Sequence, residues 1–135
     1  MTSKIISFED LIIWQNAQEL AVKIYQLTES NEFIRKDIGL KNQFKTAALS
    51  ISDNIAEGFE YNNNPDFHQF LRISKRSCGE IRNKVHFALR LGFISQPMAQ
   101  TLLNEALILG KQIGELMKKV KLKIRLAKSN SNAQP

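Results

Sequence analysis

The sequence predicts an all-α protein, an antiparallel up-down-up-down four-helix bundle. Three observations predict it. Apolar residues recur at spacings of three and four through four long stretches, the period that gathers them on one face of a helix. Capping or turn residues bound each stretch and leave only short links, which is the connection that antiparallel neighbours use. No run alternates apolar and polar residues as a strand does, and no segment repeats. The expected helices cover about 8–29, 38–60, 65–91 and 96–126 within one domain, 1–128, followed by a disordered polar tail, 129–135.

Met1 to Ile6 reads as a frayed or edge-docked arm, and Ser7 opens the first helix with Asp10 as the acidic half of a capping box. Ile13, Ala17, Leu20, Ile24 and Leu27 form its core face. Leu11, Trp14, Ala21 and Tyr25 widen the apolar arc to nearly twice what a bundle helix needs. Leu11, Trp14 and Tyr25 are the candidate residues of a subunit interface; the alternative for Trp14 and Tyr25 is that they lie over the end of the bundle with their polar tips in water.

Glu29 to Lys36 reads as a polar link, and Asp37 or Gly39 begins the second helix. Its segment QFKTAALSISDNIAEGF sets Phe44, Ala47, Ala48, Ile51, Ile55 and Gly58 within roughly one third of the circumference. The small residues there let a neighbouring helix come close. Ser50, Asn54 and Glu57, with Glu80 of the next helix, are the candidate residues of a structural polar seam.

Asn62 to Pro65 marks a turn, with Asn64 as N-cap and Pro65 at the first helical position. The third helix is expected to bury Phe67, Phe70, Leu71, Ser74, Cys78, Ile81, Val85 and Ala88. Gly92 stops it, and Ser95 to Pro97 restart the chain. The fourth helix is expected to bury Leu102, Ala106, Leu109, Ile113, Leu116 and Val120. Its Gly110 and Gly114 each cost about 1 kcal/mol relative to alanine, so they predict a tight helix contact.

Composition narrows the function. With 135 residues, 43% hydrophobic and 24% charged, the chain can bury a core without disulfides or metal. It has neither an apolar run of membrane-spanning length nor a signal peptide, so a cytoplasmic protein without a membrane role is expected. Cys78, the single cysteine, has helically spaced apolar neighbours and reads as a small buried residue. Neither His68 nor His86 follows a glutamate by three positions, so the di-iron bundle pattern is absent. There is no phosphate-binding glycine loop and no Cys/His pair. Asp53, Glu57 and Glu80 form a carboxylate set without histidines, so no catalytic residue, metal or cofactor is expected.

Charge is unevenly placed. Residues 1–66 carry 6 basic and 10 acidic side chains, a net of −4, whereas residues 67–135 carry 13 and 3, a net of +10. On the third helix Arg72, Lys75, Arg76, Arg82, His86 and Arg90 fall within about 120°. Lys111, Lys118, Lys119, Lys121, Lys123, Arg125 and Lys128 add a second basic region against Glu115 alone. Such stripes track a phosphate backbone, and they also occur as solvated faces or as complements to a helix C-terminus. Aromatic residues are not interleaved, which favours backbone contact over base stacking. The expected function is a non-enzymatic oligomer binding RNA or DNA through Arg72, Lys75, Arg76, Arg82 and Arg90 and through Lys118, Lys119, Lys121, Lys123 and Arg125. The alternative is a scaffold or adaptor for a protein partner.

The ordered segments SFEDLIIWQNAQELAVKIYQLT, GLKNQFKTAALSISDNIAEGF, FHQFLRISKRSCGEI and LRLGFIS resemble the 23S rRNA intervening-sequence protein family over residues 7 to about 120. The resemblance rests on Phe8, Leu11, Trp14, Tyr25, Gly39, Leu40 and Gln43, on Ser50, Ile51 and Asn54 to Gly58, and on Phe70, Leu71, Ser77 and Glu80. Lys45 and Thr46 stand where the family usually has a basic pair, and Arg76 and Ser77 where it usually has a small pair. The resemblance implies an antiparallel bundle assembled as a homopentamer in bacteria, and no established activity. A related architecture, in accessory proteins of diversity-generating retroelements, uses a basic pentamer to bind nucleic acid.

Overall fold

The computed structural model describes residues 4–133, which form α1 (Ile12–Ser30), α2 (Glu32–Lys36), α3 (Ile38–Glu60), α4 (Asn64–Arg90) and α5 (Gln96–Ala133), after a 3-10 turn at Phe8–Asp10. No strand occurs among the described residues. Cross-helix pairs fix the helix directions. Gln18 Nε2 donates to Ser52 Oγ at 3.0 Å and Lys45 meets Glu29 at 2.8 Å, so α1 and α3 are antiparallel. Ser74 Oγ donates to the Ile51 carbonyl at 2.8 Å and Ser77 Oγ to Ser50 Oγ at 2.9 Å, so α3 and α4 are antiparallel. Cys78 lies beside Gly110 and Lys75 beside Gly114, which reverses α5 against α4. Asn16 Nδ2 donates to Gln112 Oε1 at 3.0 Å and Lys23 pairs with Glu105 at 3.0 Å, closing the ring between α1 and α5.

Local chemistry explains the boundaries, including four that differ from the sequence reading. Asp10 accepts from the backbone N–H groups of Ile6 and Ser7 at 2.9 and 3.0 Å, and these bonds hold its carboxyl below the usual range. They close only a single 3-10 turn, because Leu11 is extended (φ −77°, ψ 126°) and α1 starts afresh at Ile12. The link expected over 29–36 contains α2. Asn31 caps it by accepting from Ile34 N–H at 3.0 Å, and Ile34 is fully buried. Asn63, one residue before the expected cap, accepts from Asp66 N–H at 2.8 Å, and Pro65 lies in the first turn. Finally, α5 continues to Ala133 and takes in 129–133 of the expected tail. The absence of Gly or Pro between Gly114 and Pro135 leaves nothing to stop it. Residues 1–3 of the expected arm and 134–135 of the tail lie outside the described residues.

Two expected signals act as read. Asp37 caps α3 by accepting from Leu40 N–H at 3.0 Å. Gly92 takes a left-handed φ of 75°, with Gly92 N–H on Leu89 O and Phe93 N–H on Ala88 O, the paired bonds of a Schellman stop.

One cluster of buried residues runs through all four long helices, with Phe44, Leu20, Ile24, Ile51, Ile55, Leu71, Ile81, Leu109 and Ile113 as its largest members. Every apolar residue expected on the core faces of α1 and α3 is buried. Phe67, Phe70 and Leu116 are half-buried, at the end where the α3–α4 turn meets α5. Of the glycines, Gly58 allows the closest helix approach: an added Cβ would stand 2.5 Å from Phe70 Cβ. Gly110 makes an ordinary contact, 3.6 Å from Cys78 Cβ. Gly114 instead leaves room for the Lys75 side chain, whose Nζ and Cε would be 3.2 and 3.5 Å from an added Cβ.

Candidate nucleic-acid interface

The core face of α4 turns inward on Leu71, Ser74, Cys78, Ile81, Val85 and Ala88, so its opposite face must be solvated. There Arg72, Lys75, Arg76, Arg82, His86 and Arg90 are all exposed. From Arg72 to Arg90 the stripe runs roughly 27 Å at 1.5 Å per residue. Lys118, Lys119, Lys121, Lys123 and Arg125 of α5 are exposed as well.

The antiparallel register brings the first part of the stripe to the end of α5. Arg72, Lys75 and Arg76, with Gln69, Phe70 and Ile73, line an open depression of about 740 Å³ that reaches Met117 of α5, the residue before Lys118. Arg82 and Arg90 lie farther along α4 and do not line it.

Few carboxylates neutralise these cations. Arg76 Nε is 3.6 Å from Glu80, and Lys118 is 3.2 Å from Glu115, both as exposed intrahelical pairs that contribute little. Arg72 reaches only the neutral Gln69 amide, at 3.4 Å. Among the described residues no carboxylate lies within 4.0 Å of Arg72, Lys75, Arg82, Arg90, Lys119, Lys121, Lys123 or Arg125. Such unpaired cations attract a polyanion with little desolvation of existing partners.

Gln69, Phe70, Ile73 and Met117 were not among the sequence candidates. Phe87 was overlooked too: 53% exposed, it lines a depression beside the stripe with Asp37, Gly39 and Lys84. Its ring lies beside the stripe, in a depression that none of the stripe's cations lines.

The polar seam is smaller and more neutral than expected. Asn54 Nδ2 donates to the Ser50 carbonyl and hydroxyl at 2.7 and 3.0 Å, and Ser77 Oγ continues the chain to Ser50. Glu57 and Glu80 stand exposed, outside these bonds. A neutral hydroxyl satisfies a buried backbone group without the desolvation cost of a carboxylate. Asp53 is exposed as well, and no set of three His, Cys, Asp or Glu residues able to hold a metal occurs among the described residues.

Leu11 and Trp14 are half-buried against the core, and the Trp14 ring meets Phe8 edge-on at 5.4 Å. Tyr25 is half-buried, with Lys45 Nζ 4.8 Å from its ring centre. The more exposed apolar residues of α1 are Ile12 and Val22. Burial pushes the Cys78 thiol up from 9.0 to about 12, which leaves it unreactive at neutral pH. No helix among the described residues is long and apolar enough to cross a membrane.

A crystal structure of a protein of unknown function from the S23 ribosomal protein family of Bacteroides thetaiotaomicron is similar to this chain. The TM-score is 0.72 at 20% identity, over 79% of this chain and 96% of that one. At this identity the likeness is one of fold. No curated protein matches the sequence. The model of the family described as 23S rRNA-intervening sequence protein matches residues 9–115, from the 3-10 turn into α5. By that match, the chain belongs to the 23S rRNA-intervening sequence protein family.

Proposed function

We propose that the protein is a non-enzymatic, oligomeric nucleic-acid-binding module of the cytoplasm that grips the phosphate backbone through α4 and the end of α5. One observation carries the reading: eight exposed cations on these two adjacent helices have no carboxylate within 4.0 Å among the described residues. Their positions along the helices favour many backbone contacts over recognition of single bases. Assembly multiplies the stripe, and the flank of α1 at Leu11, Trp14 and Tyr25, extended by the exposed Val22, supplies the subunit contact. Binding of structured RNA and duplex DNA across a salt series tests the function. Affinity should fall steeply with salt. Replacing Arg72, Arg76 and Arg82 by alanine should flatten the log–log slope on duplex DNA by about 2.7, at roughly 0.9 per phosphate contact. No binding at low salt, or unchanged binding by that variant, overturns the proposal.

A scaffold role is the second reading, supported by the exposed apolar residues Ile12, Val22, Leu107 and Ile108. It predicts a protein partner retained after nuclease treatment. Light scattering gives the oligomeric state, and a monomer at micromolar concentration removes the assembly from either reading.

A further inference from the structure

We propose that the last part of α5, Lys118 to Lys128, is a helix that lies in the major groove of B-form duplex DNA. The inference rests on the nucleic-acid reading above and adds the class of nucleic acid and the element that selects it.

This segment lies outside the family match, which ends at residue 115. Residues 116–133 hold six basic side chains and no acidic one. Among the described residues, Val120 is the last buried one of α5. Lys123 stands beside Asn62, Asn63 and Asn64, the turn at the end of the bundle, so α5 runs on past that turn by roughly 15 Å at 1.5 Å per residue.

The charges have an order that a generic solvated helix does not need. With 100° per residue, Lys118, Lys121, Arg125 and Lys128 share one arc of about 80°, and Lys119 and Lys123 form a second ridge. Between the two ridges, on the side away from the core, lie Leu122 and Leu126, 56% and 54% exposed. Two cationic ridges flanking a narrow apolar strip match a groove bordered by two phosphate strands, with thymine methyl groups at its floor.

Groove size selects the duplex. A helix with side chains measures about 10–12 Å across, and the major groove of B-form DNA is about 12 Å wide. The major groove of A-form RNA is too narrow and deep to admit it. Two leucines are too small an apolar face to anchor the helix on a lipid surface.

The test uses the full chain with a DNA duplex and an RNA duplex of the same sequence. The expected result is binding to DNA tighter by about tenfold or more, with guanine N7, a major-groove atom, protected from dimethyl sulfate. Changing Lys121, Lys123 and Arg125 to alanine should remove the DNA preference, weakening binding to the DNA duplex about tenfold or more beyond any loss on the RNA duplex and flattening the DNA salt slope by about 2.7. A second variant, Leu122→Asp with Leu126→Asp, should also lose N7 protection, while circular dichroism shows both variants folded. Equal affinity for the two duplexes, unprotected N7, or variants that bind DNA as the parent does would overturn the inference. Salt-dependent binding to both duplexes would then leave the backbone-binding reading standing, whereas no binding to either at low salt removes both. Capture by phosphatidylserine vesicles that the Leu122→Asp, Leu126→Asp variant loses, with DNA binding unaffected, also overturns it.

Discussion

Replacing Gly58 by alanine should destabilise the bundle, although the same change at Gly79 should stabilise it. Both glycines sit inside helices, where alanine is favoured by about 1 kcal/mol. The difference lies in what a Cβ meets. At Gly58 it would stand 2.5 Å from Phe70 Cβ, 3.2 Å from Phe70 Cγ and 3.3 Å from Phe67 Cδ1. Carbon atoms pack at about 3.5–4.0 Å, so α3 and α4 must part locally by roughly 1 Å. Phe70 Cβ is fixed to the backbone and cannot swing aside. Overpacking of this kind costs about 1–3 kcal/mol, and the rigid contact puts Gly58→Ala near the upper end. Set against the helix propensity gained, the net loss is about 2 kcal/mol. At Gly79 nothing lies within 4 Å of the added atom, so Gly79→Ala should gain up to about 1 kcal/mol. Gly110→Ala, with its ordinary 3.6 Å contact, should be no less stable than the parent and gain at most what Gly79→Ala gains. Urea unfolding with unchanged slope reads all three as shifts in midpoint. A Gly58→Ala protein as stable as the parent, or a Gly110→Ala protein less stable than it, would refute the close-approach argument.

Cys78 makes the stability pH-dependent. Its folded pKa, about 12, lies above the unfolded value, so the fold favours the protonated thiol. That stabilisation is complete below about pH 9 and is lost as pH rises toward 12, by about 1.4 kcal/mol per pH unit in between. Compared with Cys78→Ala, the parent should lose stability more steeply between pH 9 and 10.5, and parallel curves would contradict the burial argument. Asn31 caps α2 and also donates to the Phe93 carbonyl at 2.7 Å. Asn31→Ala should therefore cost about 2 kcal/mol, one part cap and one part unpaired carbonyl, with Asn31→Asp losing only the second part in thermal melts. Ser50 and Ser77, joined at 2.9 Å, should show a coupling above about 0.5 kcal/mol in a double-mutant cycle of alanine changes. Additive losses would mean that the seam hydroxyls act separately.

The helices were legible because their signals are local. Asp37 and Gly92 each complete a hydrogen-bond pattern with residues no more than five positions away. The misplaced boundaries needed information from elsewhere. In the link expected over 29–36, Phe33 and Ile34 are a single apolar pair among polar and charged residues, too short to show a helical period. Ile34 becomes a core residue because α2 is pinned across the bundle, through Asn31 to Phe93 and by the Phe33 ring stacked on Phe93 at 5.3 Å. The acidic members of the seam stand outside it for a related reason. Spacing puts Ser50, Asn54 and Glu57 on one stripe, but the rotation of α3 decides how deep each lies. That rotation sets the Ser50 hydroxyl and the Ile51 carbonyl against the Ser77 and Ser74 hydroxyls of α4, between the helices, and leaves Glu57 in water, the cheaper arrangement for a full charge.

The basic site shows where such reading stops and what extends it. Each ridge was visible as a pattern on its own helix, yet Arg72 and Met117 are far apart in sequence, and nothing local says that they share a surface. The link between α4 and α5 carries that information. A Schellman stop at Gly92 and a restart at Gln96 reverse the chain with little slack. Once Cys78 faces Gly110 and Lys75 faces Gly114, stepping back along α4 and forward along α5 brings Arg72 beside Met117 and the lysines that follow. Changing the length of that link would slide one basic ridge against the other while leaving every charge in place. An insertion between Phe93 and Gln96 that keeps the fold but shifts the register should therefore weaken polyanion binding without altering net charge. Unchanged binding would mean that the ridges act independently and that their convergence plays no part.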